Sequence, residues 1–205
     1  MAHVVDTSKG LPPNPERATL EGKNKFLGLW FFLGGETVVF ATFFGTYLGL
    51  KHGVAGGPTS ADMFSLPLVF LMTMLLLTSS LTSVLGIFAM KKNNFGKVKL
   101  YFWITVLLGL GFLGCEIYEF NHYVANGFGF TTSAFSSAFF TLVGLHGAHV
   151  IFGLCWMITL LIRYNNAGVT LTNAHKFYTA SLYWHFIDVV WVFIFTVVYL
   201  MGAGG

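Results

Sequence analysis

Leu66 to Met90 reads LPLVFLMTMLLLTSSLTSVLGIFAM, a stretch without an ionisable side chain whose polar groups are almost all hydroxyls. At 1.5 Å per residue such a run exceeds the roughly 30 Å of a bilayer's hydrocarbon core. Four more runs of that kind flank it: Phe26 to Leu50, Leu100 to about Val124, about Ala134 to Ile162, and Phe177 to Met201. None alternates apolar and polar residues as a barrel strand does. The sequence therefore predicts an all-α integral membrane protein, a bundle of five transmembrane helices at about 26–50, 66–90, 100–124, 134–162 and 177–201. The spanning domain is 26–201, preceded by a tail over 1–25 that holds Pro12, Pro13 and Pro15 and reads as an extended surface segment. The first run starts too late and is too long for a signal peptide.

Composition agrees. Of 205 residues, 55% are hydrophobic and 9% charged, where a soluble domain carries about 25% charged. Too little charge excludes a soluble domain, and aromatic richness excludes disorder. Two cysteines exclude a disulfide scaffold, and a net charge of +3 gives nucleic acid no footprint. Turn signals separate the runs: His52 to Pro58, Lys91 to Asn94, Asn126-Gly127, and Asn165 to Gly168. Lys9, Arg17, Lys23, Lys25, Lys91, Lys92, Lys97, Lys99, Arg163 and Lys176 fall on the side of the N-terminus, with Lys51 opposite. By the positive-inside rule the N-terminus is cytoplasmic and the C-terminus faces outward. Cys115 and Cys155 fall at different depths, so no disulfide is expected between them.

Ionisable groups inside apolar runs are costly and mark function or helix pairing. Here they are Glu36 in the first span, Glu116 and Glu119 in the third with His122 near its end, His146 and His149 in the fourth, and His185 and Asp188 in the fifth. Three-residue spacing puts each set on one helix face, turned inward to find partners. Depth arithmetic places Glu36, His146, His185 and Asp188 in an inner-to-middle layer and the two carboxyls of the third span further out. Three chemistries fit that spacing: hydrogen bonds that lock helices or handle protons, a carboxylate-bridged metal pair built from Glu116, Glu119, His122, His146 and His149, and histidine ligation of a haem b. Glu36 reads either as a neutral acid bonded to a backbone carbonyl or lipid head group, or as a proton-handling group.

Other matches are packing. Gly109-Leu110-Gly111-Phe112-Leu113-Gly114 fits a dinucleotide pattern but follows no strand, and so predicts close helix contact. Met72 and Met74 are packing residues, and Trp30 and Trp103 belong to an interfacial belt. Trp184 and Trp191 lie deeper, where each indole N–H needs an acceptor.

The segment Tyr183-Trp184-His185-Phe186-Ile187-Asp188-Val189-Val190-Trp191 resembles the last helix of subunit III of haem–copper terminal oxidases. Phe139-Phe140 through His146-Gly147-Ala148-His149-Val150 is similar to that family's paired-histidine helix, and Cys115-Glu116-Ile117-Tyr118-Glu119-Phe120 to its E-x-x-E segment. Gly35-Glu36-Thr37-Val38-Val39-Phe40 resembles the early helix with the carbodiimide-reactive glutamate. The likeness covers roughly 23–201; longer members have seven helices, and the two absent here would precede the first. It implies a non-redox subunit of a bacterial plasma-membrane, proton-pumping oxidase that reduces oxygen to water. Such a chain supports assembly, lipid binding and proton uptake. Haems and copper then sit in partner subunits, with none in this chain, and phospholipids are bound. Subunit I is the main contact, with subunit II and a small subunit IV as further partners. Glu36 becomes the proton- or lipid-related residue; Glu116, Glu119, His122, His146, His149, His185 and Asp188 become a structural polar network. The rival readings are a self-contained metal-dependent membrane oxidase and a haem-b anchor.

Overall fold

The computed structural model describes residues 18–54, 64–166 and 170–203. Five helices order the chain: α1 Leu20–Leu50, α2 Leu66–Lys91, α3 Phe95–Ala125, α4 Ala134–Arg163 and α5 Leu171–Ile194. The last continues through a π-helical turn, Phe195–Leu200, into Met201–Ala203. All five are long and apolar enough to cross a membrane, and there is no strand among the described residues. The apolar runs locate every span, but α1, α3 and α5 each begin five or six residues earlier, at Leu20, Phe95 and Leu171. Those first turns are polar and hydropathy cannot see them; capping makes them helical. The Thr19 hydroxyl accepts from the Gly22 N–H, and the Asn94 side chain from the Lys97 N–H. So the segment Leu20–Lys25, placed by hydropathy in the tail, is the first part of α1, while Pro12, Pro13 and Pro15 lie outside the described residues.

Helix ends follow the turn residues. After α3, Gly127 takes φ +83°, a left-handed conformation that costs glycine little. The Gly127 N–H then donates to the Val124 carbonyl and that of Phe128 to Tyr123, a Schellman closure. Asn93 at φ 55° plays the same part after α2. At the other end of α4, the Tyr164–Asn165 turn is clasped by two lysines. Lys176 Nζ donates to the Tyr164 hydroxyl at 2.6 Å, and Lys99 Nζ to the Asn165 carbonyl at 2.5 Å. The bond from Lys176 holds the Tyr164 phenol below its usual pKa.

α2, α3, α4 and α5 form a four-helix bundle, and α1 lies outside it against α4 and α5. Two tryptophans of α5, one heptad apart, pin the bundle. Trp184 donates its indole N–H to Ser79 of α2 at 2.9 Å. Its ring lies over Gly109 of α3 and Gly153 of α4, where an added Cβ would meet the indole at 2.8 and 3.1 Å. Trp191 donates to Thr73 of α2 at 3.1 Å and packs edge-on against Phe112 of α3 and beside His146 of α4. Each indole thus touches the other three helices, and each finds the acceptor its depth demands. Gly109 serves packing, as expected. Met72 is buried in the core, Met74 is exposed, and Cys115 and Cys155 are both free.

Candidate intramembrane polar network

The ionisable residues resolve into three clusters and one outlier. In the first, α1 meets α4. Glu36 Oε2 lies 3.0 Å from His149 Nε2, and Phe40 packs at a tilt against that imidazole, 5.0 Å between centroids. His149 Nδ1 lies 2.7 Å from the Leu145 carbonyl, which can only accept. Nδ1 therefore carries a proton, and the contact to Glu36 is either a neutral acid donating to Nε2 or an imidazolium donating to a carboxylate. Both forms hold one proton between the two groups. Glu36 and His149 keep 18% and 16% of their side-chain surface exposed, so the pair sits at the edge of the bundle.

In the second cluster α5 meets α2. His185 Nδ1 bonds Ser80 Oγ at 2.6 Å, and Nε2 makes a long contact of 3.4 Å to Ser181 Oγ, which itself bonds Ser83 at 2.7 Å. The Asp188 carboxyl, one turn along, faces the same Ser80 hydroxyl. His185 and Asp188 share a face, but the bond that His185 makes to α2 goes to Ser80, and Asp188 Oδ1 has no bonding partner among the described residues. His146 is fully buried nearby; its Nε2–H donates to the Ile187 carbonyl at 3.3 Å, and its ring lies between Phe112 and Trp191.

The third cluster lies further along α3. Both oxygens of the buried Glu119 accept from phenols: Oε1 from Tyr123 at 2.7 Å and Oε2 from Tyr199 at 2.9 Å. The π-helical turn carries Tyr199 into this position. Glu116 is buried against Gly147 of α4, where an added Cβ would fall 2.6 Å from its Oε1. That oxygen has no bonding partner within the bundle. His122 is the outlier. It is exposed at the end of α3, stacks on Tyr118 and bonds the Asn126 side chain at 3.2 Å.

The five residues of the metal reading are thus not brought together, because His122 points away and His149 turns to α1. Among the described residues no group of three or more His, Cys, Asp or Glu is arranged to hold a metal ion. His146, expected in the inner-to-middle layer, stands next to Gly147, against which Glu116 of the outer group is buried. Sequence reasoning missed the partners. Tyr123 was findable, four residues from Glu119 on one face. Tyr199 was not, because the π turn that aims it leaves no mark in the residue pattern.

Above this network on the basic side, α1, α4 and α5 enclose a groove of about 420 Å³. Lys25 and Lys176 line it, together with the apolar Phe32, Phe152 and Trp156.

Residues 17–203 match the family model described as cytochrome c oxidase subunit III. The chain is 76% identical to cytochrome c oxidase subunit 3 of Alkalihalophilus pseudofirmus over 206 residues, covering all of both chains. It is 66% identical to that of Bacillus sp. PS3 over 97% of each. Quinol oxidase subunit 3 of Bacillus subtilis is 45% identical over the full length of both.

Proposed function

Since the chain belongs to the cytochrome c oxidase subunit III family, we propose that it serves a proton-pumping terminal oxidase as a non-redox subunit. Within it the chain supports assembly, holds phospholipid and favours proton uptake. The observation that carries this reading is the use made of the intramembrane polar groups. His149 goes to Glu36, His185 to Ser80, and Glu119 to two tyrosines. These bonds join α1 to α4, α5 to α2 and α3 to α5, so the groups are spent on holding helices together. Haems and copper belong, on this reading, to subunits I and II, with a small subunit IV as a further neighbour and the bacterial plasma membrane as the setting. The groove lined by Lys25 and Lys176 suits a phospholipid, with phosphate by the ammonium groups and an acyl chain along the aromatic residues.

The electron donor we infer is cytochrome c. The relatives at 76% and 66% identity carry that name, and the quinol oxidase subunit stands at 45%. The experiment is purification of the oxidase with and without this chain. Haem spectra should be the same in both, while oxygen reduction driven by reduced cytochrome c should decay faster without it. Loss of the haem signal with the chain, or a Soret band in the chain purified alone, would overturn the non-redox reading. Oxidation of quinol but not of cytochrome c would overturn the donor.

A further inference from the structure

Two buried polar atoms at the seam of α3 and α4 are left over by the network around them. Glu116 is 4% exposed and His146 0%. Neither Glu116 Oε1 nor His146 Nδ1 has a bonding partner among the described residues. The two groups are close neighbours. The Glu116 carboxyl lies on Gly147, whose Cα is about 3.8 Å from that of His146. One turn back along α3, Phe112 meets the His146 ring edge-on at 5.7 Å.

Their needs are opposite. His146 Nε2 gives its proton to the Ile187 carbonyl, which leaves Nδ1 a bare acceptor. The donors nearby on α5 are committed elsewhere. The Trp191 N–H goes to Thr73, and the Tyr199 hydroxyl, on a ring packed beside Trp191, goes to Glu119. Glu116 makes no ion pair among the described residues, and burying a lone carboxylate is costly, so it stands as the neutral acid with an O–H to give. Donor and acceptor do not bond directly, and neither can swing. The imidazole is tied to Ile187 and wedged between Phe112 and Trp191. The carboxyl is pressed on Gly147, its Oε1 2.6 Å from where a Cβ would stand. Whatever joins them must accept, donate and be small. Water does all three, and the site offers the two polar partners that a buried water requires.

We propose that Glu116 and His146 hold one buried water, which accepts from the acid and donates to Nδ1. The result is a hydrated proton site that joins α3 to α4 and, through Ile187, to α5. It is internal to this chain and separate from the Glu36–His149 pair. Solid-state NMR of the purified oxidase with isotope-labelled histidine and glutamate tests it, the two residues being assigned by the signals lost in His146→Leu and Glu116→Leu. In the wild type Nδ1 should be unprotonated and hydrogen-bonded, with polarisation reaching it from water. In Glu116→Leu it should move to the position of an unbonded nitrogen. A wild-type Nδ1 that is already unbonded would overturn the proposal, as would one that is polarised by the Glu116 acid proton alone. A thermal melt gives a second reading. Each leucine variant strands one polar atom and should lower the midpoint by at least about 2 °C. The double variant strands neither and should melt above both. Losses that add in the double variant would overturn the coupling. If a leucine variant fails to accumulate, Glu116→Gln and His146→Asn supply the assignments and the wild-type spectrum decides.

Discussion

Glu36 and His149 share one proton whichever of them carries it, and this sets what a substitution can do. Glu36→Gln keeps a donor aimed at Nε2, so the oxidase should assemble and melt close to wild type. Glu36→Ala leaves that nitrogen without a donor at a site only 16% exposed, and should cost about 1–2 kcal/mol in thermal unfolding of the purified complex. Equal behaviour of the two variants would contradict the pairing. Ser80 serves His185 directly and faces Asp188. Ser80→Ala should therefore lower assembly as much as Asp188→Ala, measured as oxidase recovered per membrane protein. A direct histidine–aspartate pair would make only the second variant harmful. The titratable residues themselves were legible in the sequence, because a charge in an apolar run stands out. Their partners were not: pairing across helices depends on how each helix is rotated about its axis, and hydroxyls such as Ser79, Ser80 and Ser83 look alike until α5 lies beside them.

At the level of the helices, the five spans were readable because each apolar run outlasts the bilayer. The first turns of α1, α3 and α5 were hidden, since their helical state comes from caps and not from hydropathy. Gly109 is a position where element packing leaves no space, with Leu154 and the Trp184 ring both 2.8 Å from an added Cβ. Gly109→Ala should destabilise the bundle by about 1–3 kcal/mol, read as a lower midpoint in a detergent melt. α1 is held differently, by the narrow seam of Leu29, Leu33, Phe40 and Tyr47 with Glu36 among them. Tyr47→Ala should loosen that helix by about 3 kcal/mol while α2 to α5 stay packed. A cysteine placed at Leu33 would then alkylate faster, and Trp184 fluorescence would be unchanged. The clasp after α4 has an alkaline signature. Because Lys176 draws the Tyr164 phenol below its usual range, Tyr164 should ionise before the other tyrosines in a titration followed at the phenolate absorbance. The extra stabilisation on ionisation is complete above the ordinary phenol pKa and lost as pH falls through the lowered one; Lys176→Met should abolish the early step.

For the whole molecule, the basic residues make a claim about orientation that pairing geometry alone does not contain. Lys97 and Lys51 lie at opposite ends of the bundle. With cysteine in their places, a membrane-impermeant thiol reagent should label position 51 in intact cells and position 97 only in inverted vesicles. The reverse pattern would turn the chain over. The contact between Glu36 and His149 has a further consequence in time, because its two halves stand 113 residues apart in the chain. At about 5–20 residues per second, ribosomal synthesis makes α1 roughly 6 to 23 seconds before its partner emerges. Through that interval the first helix stands in the membrane with its carboxyl unanswered, and the four-helix bundle that will receive it does not yet exist. The oldest helix must therefore wait for the fourth before its carboxyl finds a partner, with α5 still to follow.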